Sequence, residues 1–568
     1  MRCYRFISST LVFGLSFFIC KVSQAFQASS AEQLVSYALL KDRMKRNDTT
    51  ITLADLEQGI SVYPYDGDVW YRLADKRLES GQNREALTAY REVLKYGAFE
   101  PTLLLPTVYT KMAQLKAREN DKDSAFWLLQ QALDAGYWYP GYLRTLPDFK
   151  ILQNDSRWEG LLGVQDMSKL TRTEGWCYDL ETLVKETQRM HYNAFQYYPR
   201  QEQDEWLKQI CATVSLLSDN EIRVKMMQYL KKVGGGHTGI RGLLRYYPSL
   251  PLVAVVFDDG IFVRTSIAAQ ASVIGKEITA IDDVPIGEVV QRLNSILPED
   301  NQQTAKMFLP DALIIPGILE GLKIVKSDSA VTLTLRDEKG KTTKARLKAQ
   351  AQRPAFLPVE QVHQFELPLY MQHNDSLYWA RLLPVTQTLY VQFNAVRNAA
   401  GYPLDSFAVR IRQMLHDSRV NNLVVDIRNN SGGNSFLYNS FLNAITGNER
   451  INKRGRLFVI IGPRTFSAAQ NFATDLARFS EAIFVGEATG SSPNSIGETT
   501  TIRLPYSGMI ASVSSLYWQH SWPTDYRRWI APDLPISLSS AAFKKGEDPA
   551  MNVIEVYMKQ GRGKLSGL

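Results

Sequence analysis

An alternation of apolar strands and amphipathic helices in the last third of the chain limits what it can fold into. Four apolar runs have the length and β-branched content of buried strands: 389–393, 422–427, 457–461 and 482–485. Between them, apolar residues recur at spacings of three and four, near 404–415, 436–445 and 468–479. Strands and helices that alternate in this way form a largely parallel sheet covered by helices. The sequence therefore predicts an α/β core over residues 375–558, within a multidomain chain.

Residues 26–165 are predicted to be all-helical and carry an internal repeat. Six positions recur with the same internal spacing: Trp70, Leu73, Ala74, Ala86, Tyr90 and Val93 return as Tyr109, Met112, Ala113, Ala125, Leu129 and Ala132. The spacing inside each unit resembles the tetratricopeptide repeat (TPR), a helix pair of roughly 34 residues with small residues where the helices touch. Two interpretations stay open: a groove for a peptide or protein partner, or a scaffold that only packs against the next domain.

Two further regions lie between the repeat and the core. Residues 174–240 are predicted to be helical and to lead into a three-glycine turn that holds His237 on a loop. Residues 250–350 alternate in the manner of β-strands. Their order of strands, helix and final hairpin resembles a PDZ domain, interrupted between Pro298 and Lys323. A strand edge that binds peptides is one interpretation of this PDZ-like module.

The first 25 residues have the pattern of a secretory signal peptide. Two arginines precede an apolar stretch from Ile7 to Cys20, and Ser23-Gln24-Ala25 fits a cleavage site. The stretch is shorter than the roughly 20 residues that a spanning helix needs, and no second stretch is long and apolar enough. We therefore expect export to a periplasm or to the outside of the cell, with no membrane span after cleavage. An uncleaved membrane anchor is the alternative.

Composition argues against several other functions. A net charge of +7 is small for 568 residues, and no Lys/Arg cluster is dense enough to predict a nucleic-acid partner. The six histidines lack the spacing of a metal site, so neither a metal nor another cofactor is predicted. Cys177 and Cys211 remain after cleavage, and the sequence leaves open whether they form a disulfide.

The strongest chemical signal lies at the third strand of the core. The segment Thr465 to Ala469 joins strand 457–461 to helix 468–479, which places Ser467 at the sheet edge and at a helix N-terminus. Free backbone N–H groups and the helix dipole favour negative charge there, which suits a nucleophile; a plain N-cap serine is the alternative. A glycine turn follows strand 422–427 at the edge where ligands bind in open α/β sheets.

Four segments of this half, taken together, resemble the tail-specific, or C-terminal processing, serine peptidase family. They are Asp426-Ile427-Arg428 with Gly432-Gly433, Thr465 to Ala469, Val485-Gly486-Glu487 with Thr489-Gly490, and Ala531 to Pro535, with Gly235-Gly236-His237-Thr238 upstream. The resemblance covers roughly Gly175 to the C-terminus. It implies a ClpP/crotonase-like α/β peptidase domain that acts on polypeptide substrates without a cofactor.

One departure from the family's pattern concerns the catalytic base. Many members use a Ser–Lys dyad, but Ser492 stands where the lysine is expected, and no lysine lies between Ser467 and Lys544. The pattern is more similar to the tricorn-core branch, in which a histidine from the upstream glycine turn activates the serine and a later carboxylate orients that histidine.

The resemblance therefore implies roles for individual residues. Ser467 is expected to be the nucleophile, His237 its base and Asp525 the orienting acid, with Glu487 and Glu498 as fallback acids. Backbone N–H groups of Ala468 and of Gly432 or Gly433 are expected to form the oxyanion hole. A histidine suits the task because its unperturbed pKa lies near neutrality, and a carboxylate on its other ring nitrogen would fix the tautomer.

Three functions are compatible with the sequence. The first is an exported serine endopeptidase that cleaves polypeptides. The second is a catalytically inactive binding protein on a peptidase fold, for apolar ligands or peptides. The third is an interaction adaptor built on the TPR-like repeats. The joint presence of the serine, the histidine, a late acid and the glycine turn favours the enzyme.

Overall fold

The computed structural model describes residues 30–46, 48–98, 101–137, 140–163 and 166–564. Its contacts divide the chain into two units, Met1–Asp166 and Met167–Leu568. The predicted signal peptide, residues 1–25, lies outside the described residues. Within the part of the chain that is described, no helix is long and apolar enough to cross a membrane.

The first unit consists of helices. They are α1 (Ala31–Lys45), α2 (Leu53–Val62), α3 (Gly67–Glu79), α4 (Asn83–Tyr96), α5 (Pro101–Arg118), α6 (Lys122–Asp134), α7 (Pro140–Leu143) and α8 (Ser156–Leu162). Polar side chains cap their N-termini: Ser30 and Thr52 form capping boxes on α1 and α2, and Asp66 accepts two backbone N–H groups of α3.

Helices α3 with α4 and α5 with α6 form the two pairs that the internal repeat describes. The small residues at matching positions are fully buried: Ala74, Ala86, Ala113 and Ala125 are 0% exposed. An ion pair of 2.7 Å between Asp75 and Lys111 joins the first pair to the second. The sequence repeat therefore corresponds to two helix pairs, while their assignment to the TPR family stays a prediction.

The second unit begins with three helices, α9 (Arg172–Met190), α10 (Arg200–Thr213) and α11 (Asp219–Val233). Capping boxes at Thr171 and Ser218 start α9 and α11. Cys177 and Cys211 are free thiols in this structure; the Cys177 Sγ lies 3.7 Å from the carbonyl oxygen of Cys211. Helix α11 ends at the three-glycine turn, as the sequence predicts, and β1 (Gly239–Ile240) follows it.

The PDZ-like region folds as an antiparallel sheet with three helices. In chain order its elements are β2 (Leu252–Phe257), β3 (Gly260–Ser266), β4 (Glu277–Ile281), β5 (Val284–Pro285), α12 (Ile286–Asn294), α13 (Gln302–Leu313), α14 (Pro316–Gly321), β6 (Ala330–Arg336) and β7 (Thr342–Lys348). The strand order is β2-β3-β4-β6-β7, with β5 paired to β4. The stretch between Pro298 and Lys323, which interrupts the PDZ-like pattern, contains α13 and α14.

The rest of the chain forms the α/β core. In chain order its elements are α15 (Val359–His363), β8 (Tyr378–Leu383), β9 (Thr388–Phe393), α16 (Leu404–His416), β10 (Asn422–Asp426), α17 (Asn439–Thr446), β11 (Leu457–Ile461), α18 (Ala468–Phe479), β12 (Ile483–Gly486), β13 (Asn494–Arg503), β14 (Ile510–Gln519), β15 (Leu534–Pro535), α19 (Ser540–Lys544) and α20 (Pro549–Lys564).

The core sheet has the order β15-β12-β11-β10-β9-β8. All its neighbours run parallel except β8, which pairs antiparallel with β9. The central strands are buried along their whole length because helices cover both faces, which explains their continuous apolar runs. The four strands that the sequence predicts are found within a residue or two of their predicted bounds.

A long hairpin, β13–β14, was not predicted from the sequence. It forms a separate three-stranded sheet, in which β14 pairs with β1 just after His237. Polar Thr and Ser residues occupy much of the hairpin, which hides its alternation. Its apolar residues, Ile502, Leu504, Ala511 and Val513, are buried against the helices α9–α11. The hairpin is therefore stabilised by helices that lie more than 250 residues earlier in the chain.

Candidate active site

Ser467 occupies the junction between β11 and α18. Its φ of 56° lies in the left-handed region, which is uncommon for a residue other than glycine and often marks a functional site. It precedes the first residue of α18, yet its side chain makes no capping hydrogen bond to that helix. The alternative of a plain N-cap serine is therefore not what the structure has.

The turn that carries Ser467 is fastened to the neighbouring strand β10. The Thr465 hydroxyl, fully buried, donates to the carbonyl of Ile427 over 3.0 Å. The backbone N–H of Phe466 donates to the carbonyl of Asn430 over 3.2 Å. Both acceptors lie in the segment that follows β10, so the parallel pairing of β10 and β11, which brings that segment beside the end of β11, sets the position of the serine turn.

His237 reaches Ser467 from the other side. Its Nε2 lies 3.0 Å from the Ser467 Oγ, although 230 residues separate them in sequence. The imidazole is only 8% exposed and stacks on the ring of Phe466, with centroids 4.6 Å apart. The structure thus brings together the predicted nucleophile and its predicted base at hydrogen-bond distance.

The surroundings of His237 keep its ring neutral. Burial, and to a smaller extent the nearby guanidinium of Arg241, together lower the pKa of His237 to about 3. Arg241 donates to the His237 carbonyl over 3.0 Å and to the Ser512 hydroxyl over 2.6 Å. A neutral imidazole at pH 7 can accept the proton of a serine hydroxyl. When Nε2 is the acceptor, Nδ1 carries the proton.

No predicted acid orients this histidine. Nδ1 of His237 is buried and has no hydrogen-bond partner among the described residues. Asp525 instead accepts two hydrogen bonds from Arg527, of 2.9 and 2.7 Å, and the pKa of its carboxyl is lowered by that neighbour. The assignment of Asp525 is corrected accordingly: an arginine two residues away in sequence takes the carboxylate that the resemblance assigned to the histidine.

The two fallback acids do not replace it. Glu487 forms an ion pair of 3.4 Å with Lys306. The side chain of Glu498 is exposed, and no hydrogen bond joins it to the histidine among the residues described. His237 and Ser467 therefore form a dyad in this structure, without a third side chain on Nδ1.

The predicted oxyanion hole is only partly available. A Cβ added to Gly432 would lie 2.7 Å from the Ser467 Cβ and 2.9 Å from the backbone N of Ala468, so only glycine allows the two turns to meet. The N–H of Gly432 itself donates to the Asn430 side chain over 2.9 Å. It is therefore excluded as an oxyanion donor, which leaves the N–H groups of Gly433 and Ala468.

Buried charges anchor the glycine turn. Arg428 forms ion pairs with Asp426, 2.8 Å, and with Asp548, 2.9 Å, and it lies over the ring of Tyr370. Asp426 also accepts a hydrogen bond of 2.7 Å from the Tyr390 hydroxyl. Asp426 and Arg428, which belong to the motif noted in the sequence, thus hold the turn in place and do not contact Ser467.

Three residues near the site were missed from the sequence. Phe466 supplies the ring beneath His237, and Arg241 supplies the nearby positive charge. Asp300 contacts the turn that carries His237. Phe466 and Arg241 lie within a few residues of predicted site residues, so closeness in sequence was the available signal. Asp300 lies in the stretch that interrupts the PDZ-like pattern, where the sequence offered no signal at all.

The chain is similar to proteins of known structure. No protein-family model and no curated protein matches the sequence. Solved structures similar to the chain include mature CPAF, with 12% identity, 68% of this chain and 97% of that chain covered, and a TM-score of 0.48. They also include the photosystem II D1 C-terminal processing protease, with 15% identity, 66% and 97% covered, and a TM-score of 0.34. Likeness at this level carries no argument about function.

Proposed function

We propose that this chain is a serine-type endopeptidase that cleaves polypeptides with Ser467 as nucleophile and His237 as general base. The observation that carries the proposal is the 3.0 Å separation of the Ser467 Oγ from the His237 Nε2 at the N-terminus of α18. A buried neutral imidazole at this distance can take the hydroxyl proton as the oxygen attacks. The strained backbone of Ser467 and its uncapped side chain fit a role in chemistry.

The chemistry would proceed through an acyl-enzyme. Nε2 of His237 takes the proton of Ser467, and Oγ forms a bond to the carbonyl carbon of the substrate. The carbonyl oxygen becomes an oxyanion facing the N–H groups of Ala468 and Gly433, each worth about 3 kcal/mol of barrier in such sites. The C–N bond then breaks, and the imidazolium returns its proton to the leaving amine. Water attacks the ester by the same route, which releases the second product.

The missing acid changes one feature of this scheme. The imidazolium that forms during attack has no carboxylate partner on Nδ1 among the described residues. The face of the Phe466 ring lies against it, and an aromatic face attracts a cation. We therefore place Phe466 in the role of stabilising the transient imidazolium, with less effect than a carboxylate would have.

The proposed substrate is a polypeptide. A cavity of about 570 Å³ lies between the edge strand β2 and the C-terminal ends of β10, β11 and β12. An edge strand offers unpaired backbone groups to an extended peptide. One wall of the cavity is formed by Gly462, Pro463 and Arg464, and the last lies three residues before Ser467. Neither Ser467 nor His237 lines this cavity, and we propose that a chain bound along β2 extends past Arg464 to reach the nucleophile.

The motifs support a finer proposal. From their order and the missing lysine after Ser467, we propose that the chain is most similar to the tricorn-core branch of the tail-specific peptidases. The N-terminal signal pattern supports export, to a periplasm or outside the cell, and the helix pairs of 26–165 are proposed as TPR-like repeats that contact a protein partner. Signal-peptide processing in cells tests the export, and binding to the isolated helical region tests the protein partner.

Labelling with a fluorophosphonate tests the central proposal. The Ser467 oxygen attacks phosphorus and fluoride leaves, so only an activated serine reacts at a useful rate. We expect one adduct, found by mass spectrometry on Ser467, and its loss in both Ser467→Ala and His237→Ala. Asp525→Ala should keep the adduct, because Asp525 pairs with Arg527. Folded wild-type protein without an adduct would contradict the proposal and favour the inactive binding protein.

A further inference from the structure

Asp300 contacts the histidine turn from a part of the chain that the catalytic motifs do not include. It belongs to the stretch between Pro298 and Lys323 that interrupts the PDZ-like region. Its carboxylate accepts a hydrogen bond of 2.5 Å from the backbone N–H of Gly236, the residue before His237. The same carboxylate accepts from the hydroxyl of Ser491, which follows β12. One side chain thus joins the histidine turn to the loop at the end of the core sheet.

The fit between Asp300 and the turn is close. A Cβ added to Gly236 would lie 2.9 Å from the Asp300 carboxyl carbon and 2.9 Å from the ring of Phe466. Two residues beyond His237, a Cβ on Gly239 would lie 2.7 Å from the ring of Pro298. The interrupting stretch therefore packs on the turn both before and after His237, and the glycines of the motif allow that approach.

The residues that follow Asp300 form hydrogen bonds that connect the stretch between Pro298 and Lys323 to the serine turn. The amide of Asn301 donates to the carbonyl of Thr489 over 3.2 Å, and the Thr304 hydroxyl donates to the carbonyl of Gly490. The N–H of Gly490 in turn donates to the carbonyl of Thr465 over 3.0 Å. The start of α13 is thereby linked to both turns that must meet for catalysis.

We infer that Asp300 is a positioning residue, whose carboxylate holds the Gly236–His237 turn so that the His237 Nε2 stays at hydrogen-bond distance from Ser467. The inference rests on the proposed peptidase function. Asp300 contacts the backbone of the turn and not the imidazole, so it does not take the place of the missing acid on Nδ1. Asp300 acts on the histidine through the backbone of Gly236. Among the hydrogen bonds described, the Gly236 N–H has no other side-chain acceptor.

The test measures the rate at which a fluorophosphonate labels Ser467 in the full chain at pH 7.5. Asp300→Ala removes the acceptor of the Gly236 N–H. We expect the maximal labelling rate to fall by about tenfold or more, because a catalytic group displaced by an ångström can lose that much, while the reagent concentration for half-maximal rate changes little. Asp300→Asn keeps an oxygen for Gly236 and an N–H₂ group for Ser491, so it should label within about threefold of wild type.

Gln302→Ala is the matched control, because Gln302 is exposed and lies on the same helix, α13. It should label at the wild-type rate. Thermal unfolding of every variant separates displacement of the turn from loss of the fold. If Asp300→Ala does not fold, Ser491→Ala is tested in its place. This substitution removes the hydroxyl that donates to the Asp300 carboxylate, and it should slow labelling about threefold.

Three outcomes would overturn the inference. The first is Asp300→Ala, or Ser491→Ala in its place, labelling as fast as wild type. The second is Asp300→Asn losing as much rate as Asp300→Ala, with both losses matched by lowered thermal stability, which would show a merely structural role. The third is wild-type protein without any adduct. That result alone removes the proposed function, so the two failures are distinguishable.

Discussion

The turn that carries Ser467 and the turn that carries His237 are held in different ways. The serine turn follows a central strand, and Thr465 and Phe466 donate hydrogen bonds to the segment that directly follows the adjacent strand β10. The histidine turn leaves a helix through glycines and is held by side chains from distant segments, Asp300 and Ser512 among them. The position of the serine turn is therefore set by the parallel sheet at whose edge it lies. The position of the histidine turn is set by the side chains that pack on it.

The largest expected loss of labelling comes from a substitution next to the serine turn. Gly432→Ala would set a methyl group 2.7 Å from the Ser467 Cβ and 2.9 Å from the backbone N of Ala468, and a backbone fixed by the sheet cannot yield. We expect fluorophosphonate labelling of Ser467 to fall by about 100-fold or more.

Gly401→Ala is the control for this prediction. Gly401 also has a positive φ, 71°, but a Cβ there meets nothing within 4 Å. It should cost about 1 kcal/mol of stability through backbone strain and leave labelling unchanged. A Gly432→Ala variant that labels normally would show that the serine turn is as adaptable as the histidine turn.

The second prediction concerns pH. Because burial holds the pKa of His237 at about 3, the ring stays neutral and able to accept a proton as pH falls, and this ability is lost only as pH passes through that value. A histidine with its ordinary pKa of about 6.5 would lose about 30-fold in rate between pH 8 and pH 5. We expect the labelling rate to change less than about threefold over that range.

Asp300 titrates inside the same window, since burial raises the pKa of its carboxyl to about 6. The pH profile is therefore measured in Asp300→Asn as well, where only His237 remains to be followed. Arg241, whose charge helps to lower the pKa of the ring, is a guanidinium and stays protonated throughout. An acid limb centred near pH 6.5 in both proteins would refute the assignment of a buried, neutral base.

The third prediction concerns a substitution in the histidine turn. A methyl group on Gly236 would meet the carboxyl of Asp300 and the ring of Phe466, both at 2.9 Å, and both are ends of side chains. Since side chains can yield where backbone cannot, we expect Gly236→Ala to slow labelling by about tenfold, less than Gly432→Ala. Gly287→Ala, on α12 with nothing within 4 Å, is the control. Equal losses at the two turns would erase the difference between them.

The smallest effect is on stability. The folded pKa of Asp300 is raised, so ionisation of its partly buried carboxyl lowers stability as pH rises from about 4 to about 6, and nothing is lost below its unfolded pKa. Asp300→Asn removes this cost. Arg528 attracts the carboxylate, and Glu299, which repels it, is paired with Lys231.

Urea unfolding of Asp300→Asn and wild type should therefore give equal free energies at pH 4, with the variant more stable by about 1–2 kcal/mol at pH 7.5 once solvent screening is allowed for. A variant that is less stable than wild type at pH 7.5 would contradict this prediction. It would show that the hydrogen bonds of the ionised carboxylate with Gly236 and Ser491 stabilise the fold by more than burial of the charge destabilises it.

Much of the fold and half of the site were predictable from the sequence. The strands β9 to β12 can be recognised from their apolar runs alone, without knowledge of the strands they pair with. Ser467 can be recognised because a predicted strand and a predicted helix meet at it. His237 was found through a motif, not through periodicity. The hairpin β13–β14 was missed because its polar residues conceal the alternation, and its stability comes from helices far away in sequence.

The acid assignment failed for a local reason. Asp525 occupies the place that the motif order indicates, but Arg527 lies two residues away and takes its carboxylate. Asp300 was missed for the opposite reason, since nothing near it in sequence connects it with His237. In both cases the deciding contact depends on which charges and N–H groups come within a few ångströms after folding, and a linear pattern does not contain that information.

The sequence by itself determined the parallel α/β core, the helix pairs before it and the strand-to-helix turn with Ser467, because these follow from periodicity and turn chemistry within short segments. The tertiary structure alone decided that the His237 Nε2 meets the Ser467 Oγ across 230 residues, that Nδ1 has no carboxylate among the described residues, and that Asp300 holds the histidine turn. The physical reason is packing: hydrogen bonds and burial act over a few ångströms, and only the folded chain brings such distant residues within that range.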